Sequence, residues 1–161
     1  MAKYVKNGYG QIEPNRCSFL HDGNIESQCV ASEAIENGAI VTVDKANGTV
    51  VPATTFTSGL LGVNYTSERI YNQFTPGRKN FRVEAGEYPR VGYLKAGDVF
   101  TTNVMFTETG VEVEDAKIAT GLYWTAPATF ATAAPTTGLK LQVVELTDTA
   151  DGQAALKIQV L

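Results

Sequence analysis

From residue 139 to the end of the chain, apolar and polar side chains alternate. Leu139, Leu141 and Val143 are separated by Lys140 and Gln142, and Leu156, Ile158 and Val160 by Lys157 and Gln159. A strand sends successive side chains to opposite faces, whereas a helix repeats every 3.6 residues, so this spacing commits both stretches to half-buried β-strands. Asp151 and Gly152 between them predict a turn, and the pair reads as an antiparallel hairpin. A second hairpin is expected where Ile40 or Val41 and Val43 meet Val50 and Val51 across Asn47-Gly48, a dipeptide that supplies positive φ angles to tight turns. Pro52 has no backbone donor and ends that strand or places it at an edge.

Between these hairpins the pattern is one of short strands. A strand is expected around residues 60–65, a turn at Thr75, Pro76 and Gly77, strands at 91–94 and 99–106 joined by a turn at residues 95–98, and a further strand in the segment that begins at Val111. Residues 31–37 could form a short helical turn or bend, but no stretch sustains a 3.6-residue apolar repeat. Residues 1–30 mix Asn, Gly, Gln and Pro with scattered aromatics and show neither period, which reads as an extended arm. Apolar side chains along such an arm are costly to leave in water, so it must lie on its own domain or on a neighbour. The expected organisation is an N-terminal arm over 1–30 and a single β domain over 31–161. The expected fold is mainly β, a small antiparallel barrel or sandwich with an extended N-terminal arm.

At 161 residues, 43% of them hydrophobic and 19% charged, the chain can bury a self-sufficient core. A net charge of -4 argues against nucleic acid, whose binding rests on phosphate neutralisation. Apolar runs fall short of the roughly 20 residues that cross a bilayer, and residues 1–16 lack the apolar stretch of a secretory signal, so no membrane partner is expected and synthesis is placed in a cytoplasm. Cys17 and Cys29 flank His21, the single histidine. Three candidate ligands at irregular spacing do not make a structural zinc site, and no metal or cofactor is expected. The thiols read as reduced residues in or near a core, with a disulfide in an oxidising medium as the alternative.

Catalytic patterns are missing from the sequence. His21 sits in the loosely patterned segment rather than at a firm strand end, and no glycine-rich phosphate loop occurs, so no catalytic residue is named and an enzyme is not expected. Glu108, Glu112, Glu114 and Asp115 cluster, but Glu112 and Glu114 alternate with Val111 and Val113, the pattern of a solvated outer strand face. Asn47 and Asn64 match the glycosylation pattern, without consequence in a chain that lacks a secretory signal.

Between residues 69 and 90, Arg69, Arg78, Lys79, Arg82 and Arg90 are interleaved with Tyr71, Phe74, Phe81 and Tyr88. Arginine and tyrosine both present large, partly apolar contact area with directed hydrogen bonds, which suits a docking surface for an acidic protein partner, against the plainer reading of a charged face over core aromatics. With the aromatics and last cation of the arm, the partner-binding candidates are Tyr4, Tyr9, Arg16, Arg69, Tyr71, Arg78, Arg82 and Arg90.

One further pattern concerns the order of these features. The arm is followed by Ala-Ile-Glu-Asn-Gly-Ala-Ile-Val-Thr-Val at 34–43, which leads into the Asn-Gly hairpin, and then by Gly-Glu-Tyr-Pro-Arg-Val-Gly-Tyr-Leu-Lys-Ala-Gly-Asp-Val-Phe at 86–100. Over roughly residues 30–106 this order resembles the capsid decoration, or cement, proteins of tailed bacteriophages. The resemblance implies a structural virion protein on the capsid exterior that bridges subunits of the major capsid protein, with a homo-oligomer, a trimer by expectation, as its form. The alternative is a tail, fibre or head-fibre-base component. Loss of residues 1–16 is expected to weaken binding more than folding.

Overall fold

The computed structural model describes residues 2–6, 8–66, 81–113 and 121–161. Strand accounts for 42% and helix for 3%, so the chain is mainly β, as its alternation requires. The strands in order are β1 (Ala2–Tyr4), β2 (Ile12–Arg16), β3 (Ile25–Glu26), β4 (Val30–Ala31), β5 (Ile40–Asp44), β6 (Thr49–Pro52), β7 (Leu61–Asn64), β8 (Val91–Gly92), β9 (Val99–Thr102), β10 (Val111–Val113), β11 (Tyr123–Ala126), β12 (Thr129–Ala131), β13 (Leu141–Asp148) and β14 (Ala154–Val160). A single turn of helix, α1 (Phe19–Asp22), falls inside the segment read as an extended arm, while residues 31–37 form no helix.

Two six-stranded sheets result, ordered β12-β11-β13-β14-β9-β2 and β3-β8-β7-β5-β6-β4, with β1 and β10 paired separately. Neither closes into a barrel, so of the two expected architectures the fold is sandwich-like. The main core joins them: Phe100, Trp124, Leu141, Val143, Leu156, Ile158 and Val160 from the first sheet belong to one buried cluster with Ile40, Leu61 and Val63 from the second. Each such side chain contributes about 1.5–3 kcal/mol on burial. The polar neighbours Lys157 and Gln159 alternate out of that core, so the period of two in the sequence is the inward and outward alternation of β14.

The second sheet buries both faces, which explains the near-continuous apolar run at 39–43. Ile40 enters the inter-sheet core, whereas Val41 and Val43 join Val50, Val91, Ile35, Val83, Ala31 and Cys29 in a second cluster. Ile40 pairs with Val63 and Val41 with Gly62. Most pairings are antiparallel, as expected, and β4 alone among the named strands runs parallel to its neighbour, β6, with Val30 beside Thr49 and Ala31 beside Val50.

Both expected hairpins form. β5 and β6 join through residues 45–48, and only Gly48, at φ 67°, takes a positive φ, so Asn47 does not share the left-handed conformation that its dipeptide suggested. The loop is held instead by Asp44, whose carboxylate accepts from the backbone N–H of Ala46 (3.0 Å) and Asn47 (3.1 Å) and from Asn47 Nδ2 (2.6 Å). β13 and β14 pair from Leu141 with Val160 to Asp148 with Ala154, with an irregularity between Val143 and Glu145. The strand expected at 99–106 stops at Thr102, and that expected at 91–94 at Gly92. The Thr75-Pro76-Gly77 turn lies outside the described residues.

The described residues up to 30 pack on the rest of the chain. β2 is an edge strand of the first sheet beside β9, and Tyr9, Cys17 and Phe19 are buried. The boundary expected after residue 30 falls inside β4. Deleting residues 1–16 therefore removes the edge strand and the buried Tyr9, and is expected to cost folding.

The closing hairpin fastens this edge. Asp151 accepts from Gln11 Nε2 (2.8 Å), from Gln153 Nε2 (2.8 Å) and from the Thr149 hydroxyl, while Ala150 N donates to Glu13 Oε1 (2.9 Å). Partial burial raises the Asp151 carboxyl, but the bonds from Thr149, Gln153 and Gln11 outweigh it and hold it at about 2. A carboxyl depressed below its unfolded value of about 3.9 stabilises the fold fully above that value and ceases to do so as pH falls through the folded value. Wild-type stability in denaturant titrations should thus fall between about pH 4 and pH 2 by more than that of Asp151→Asn, which starts lower at pH 7. Parallel pH dependences for the two proteins would refute the assignment.

Candidate functional site

A groove of about 750 Å³ is lined by Phe81, Arg82 and Glu84 together with Val104, Phe106, Thr107 and Glu108. Tyr9, Val104 and Phe106 supply apolar lining, and Lys6, Glu36 and Arg82 supply charge. Tyr9 and Phe106 are buried in the fold beneath it. Tyr4 of β1 packs on Phe106, with ring centroids 5.6 Å apart, so the first strand braces the groove from behind.

Glu36 organises the charged side. Its carboxylate pairs with Lys6 Nζ at 2.5 Å and accepts from Gly10 N at 3.1 Å, which clamps Lys6 and Gly10 against the loop before β5. The Lys6 side chain is only 11% exposed, so this pair is shielded from salt more than a surface pair would be. Arg82 Nε and Glu84 pair at 2.7 Å with both side chains 56% exposed, a solvent-screened contact that adds little to stability. Its guanidinium remains available to a partner at that small cost.

The eight candidate residues separate accordingly. Tyr9 and Arg82 line the groove and Tyr4 supports it through Phe106. Arg16 is exposed at the end of the edge strand β2, away from the groove lining. Arg90 is exposed beside the buried Pro89, and its N–H donates to Thr66 Oγ1 at 2.9 Å. Arg69, Tyr71 and Arg78 lie outside the described residues, as do Lys79 and Phe74. Among the described residues of this segment, the exposed Glu84 and Glu87 intervene between Arg82 and Arg90, so that part of the surface is of mixed charge rather than positive. Tyr88, 62% exposed, stands between them as a large apolar contact.

Sequence reasoning missed Glu36, Val104 and Phe106. They sit in loops and have no local pattern; the only signal was that Glu36 is a charge within an otherwise apolar approach to β5. Of the acidic cluster, Glu108 lines the groove and Glu112 is exposed on β10, while Glu114 and Asp115 lie outside the described residues.

The cysteines are free and buried, and belong to different clusters, Cys17 to the inter-sheet core and Cys29 to the core behind the second sheet. Burial first, and the neighbouring Asp98 second, push the Cys17 thiol up to about 12, so it stays protonated at neutral pH. Asp98 accepts from Ser18 N (2.9 Å), Ser18 Oγ (3.0 Å) and Lys95 N (2.8 Å) and thereby fixes α1 to the start of β9. His21 is exposed on α1. Burial, aided by the charge of Glu26, raises the Tyr93 phenol to about 12. Lys45 lies 3.6 Å from Glu26 and 5.6 Å from the Tyr93 ring centroid, a surface ion pair beside a cation–π contact. Among the described residues, no three His, Cys, Asp or Glu side chains come together in a way that would hold a metal ion, and no helix is long and apolar enough to cross a membrane.

Fold and groove together define a two-sheet β scaffold with an open, mixed apolar and charged concavity braced by its own N-terminal strand. Comparison with family models, with curated proteins and with solved structures finds no match to the chain.

Proposed function

We propose that this is a structural virion protein that decorates the exterior of a tailed-bacteriophage capsid and stabilises it by bridging subunits of the major capsid protein. The reading rests on the resemblance of residues 34–43 and 86–100, and the observation that carries it furthest is the groove. A concavity lined by Tyr9, Val104 and Phe106 and rimmed by Lys6, Glu36 and Arg82 fits a protein segment that offers both apolar and charged side chains. Exposed Tyr88 and Arg90 extend the contact area outside it. A subunit that touches several shell proteins through modest contacts gains avidity from their number.

Co-sedimentation with purified capsids tests this. The protein should pellet at a saturable ratio, and Arg82→Glu, which alters an exposed side chain, should weaken retention about tenfold without changing the melting temperature. Failure to bind mature and immature shells alike would overturn the capsid role and favour a tail, fibre or head-fibre base.

A further inference from the structure

A sheet that does not close has edges, and an unguarded edge is a template for another strand. Among the described residues, the two six-stranded sheets have four edges, and three of them are blocked. β2 carries Pro14, a register irregularity between Glu13 and Arg16, and charge at both of those positions. β4 has its outer groups occupied, since Ala31 N donates to Glu87 O and Ala31 O accepts from Gly86 N, both at 2.8 Å. β3 is two residues long and includes Glu26.

β12 differs from all three. It is the outer strand of the first sheet, reads Thr129-Phe130-Ala131, and contains no proline or charge, and the register irregularity in its ladder falls on the inner strand β11, between Trp124 and Ala126. Beyond its ladder to β11, no backbone hydrogen bond joins residues 128–138 to any other described residue. Residues 121–139 carry no charged side chain at all, in a chain with a net charge of -4. Phe130 packs against the inter-sheet core, which fixes the strand in place, while Thr129 is exposed beside it.

We infer that β12 is the site where a second copy of this chain adds to the sheet, edge to edge and antiparallel across a two-fold axis. The absence of charge selects that occupant. Self-pairing sets a strand against its own sequence, so a charge on or near the axis would meet its like, and like charges across a strand pair are destabilising. Among the described residues, β12 is the edge of the two six-stranded sheets that carries no charge, and the side-chain bond to its backbone, Thr125 Oγ1 to Thr129 O at 3.4 Å, stays within its own hairpin. Pro127 and Pro135 bound the segment and limit the ladder to the few residues between them. An interface of that length falls below the roughly 1,200–2,000 Å² of a stable complex, so the dimer is weak and concentration-dependent in solution. A two-fold pairing gives a dimer in place of the trimer expected from sequence.

The test uses the free protein without capsids, so its failure is separate from failure of the virion reading. Sedimentation velocity over a wide concentration range should show a monomer giving way to a dimer, with little dependence on salt. Thr129→Lys, at an exposed position, should abolish the dimer with an unchanged circular dichroism spectrum, whereas Ser27→Lys beside β3 should leave it intact. Hydrogen exchange on the wild type provides a readout independent of any variant: amides of residues 129–134 should become more protected as concentration rises. A monomer at every concentration, a trimer mass, a dimer indifferent to Thr129→Lys, or unchanged protection at 129–134 would each overturn the inference.

Discussion

Phe19→Ala should destabilise the protein by about 3–5 kcal/mol, which for a chain of this size lowers the melting temperature by about 6–20 °C. The ring is fully buried in the inter-sheet core, and its centroid lies 6.0 Å from that of Tyr65. Its closest accommodation is on Gly92 of β8, where a Cβ would stand 2.5–2.6 Å from three of its ring atoms. The ring thus occupies the space that any larger residue at 92 would need, and through it the N-terminal segment is keyed into the second sheet. This predicts coupling as well as cost. Gly92→Ala should destabilise the wild type by about 1–3 kcal/mol through overpacking, yet cost little in a Phe19→Ala background where the clash is gone. Urea denaturation of the four proteins measures the cycle, and additive costs would show that the two positions do not share that space.

Gly138→Ala should have the second large effect, about 2–5 kcal/mol, the sum of a left-handed backbone and an overpacked contact. At φ 76° the residue is in a conformation that side chains resist, and a Cβ there would lie 2.1 Å from Phe56 O and 2.5 Å from Thr57 Cα. Backbone cannot swing aside as a long side chain can. The same carbonyl accepts from Leu139 N at 2.9 Å, and Phe56 packs edge-on against Trp124 at 4.9 Å, so relief of the clash would disturb a bond and an aromatic pair in the core. Gly48→Ala isolates the conformational part, since that glycine has φ 67° and open space around its missing Cβ, and should cost only about 1–2 kcal/mol. Equal costs at the two positions in thermal melts would refute the steric argument.

Much of the local structure was legible because it is encoded by neighbours in sequence. Alternation at 139–143 and 156–160 identified which side chains of β13 and β14 face inward, and the turn residues marked where the chain reverses. The lesson of the β5–β6 loop is finer: Asn-Gly announced a hairpin, but Asp44 and Gly48 set its geometry, because a carboxylate that caps two backbone donors made positive φ at Asn47 unnecessary. The arm was legible as extended, not as integral. Its apolar residues Tyr9, Cys17 and Phe19 are too irregularly spaced to display a face, and Cys17 and Phe19 are buried in the inter-sheet core by residues distant in sequence.

The candidate surface was legible only in part. Tyr4, Tyr9 and Arg82 were singled out for their chemistry and meet at one groove, but Glu36, Val104 and Phe106 come from loops distant in sequence and have no pattern to announce them. Charge was read as a local excess of arginine, whereas Glu84 and Glu87 stand within the same described stretch and balance it.

By itself the sequence determined the class of the fold, the two hairpins and the inward faces of the closing strands, since side-chain periodicity and turn chemistry act over a few residues. Only the tertiary structure decided that β9 lies between β14 and β2, that β4 joins β6 in parallel, that Ile40 and Val41 serve different cores, and that β12 is the edge left open. The physical reason is that alternation tells a strand which face to bury but not against which strand to pair. That choice belongs to the shared burial of surfaces far apart in the chain, and it is made only when the sheets close on one another.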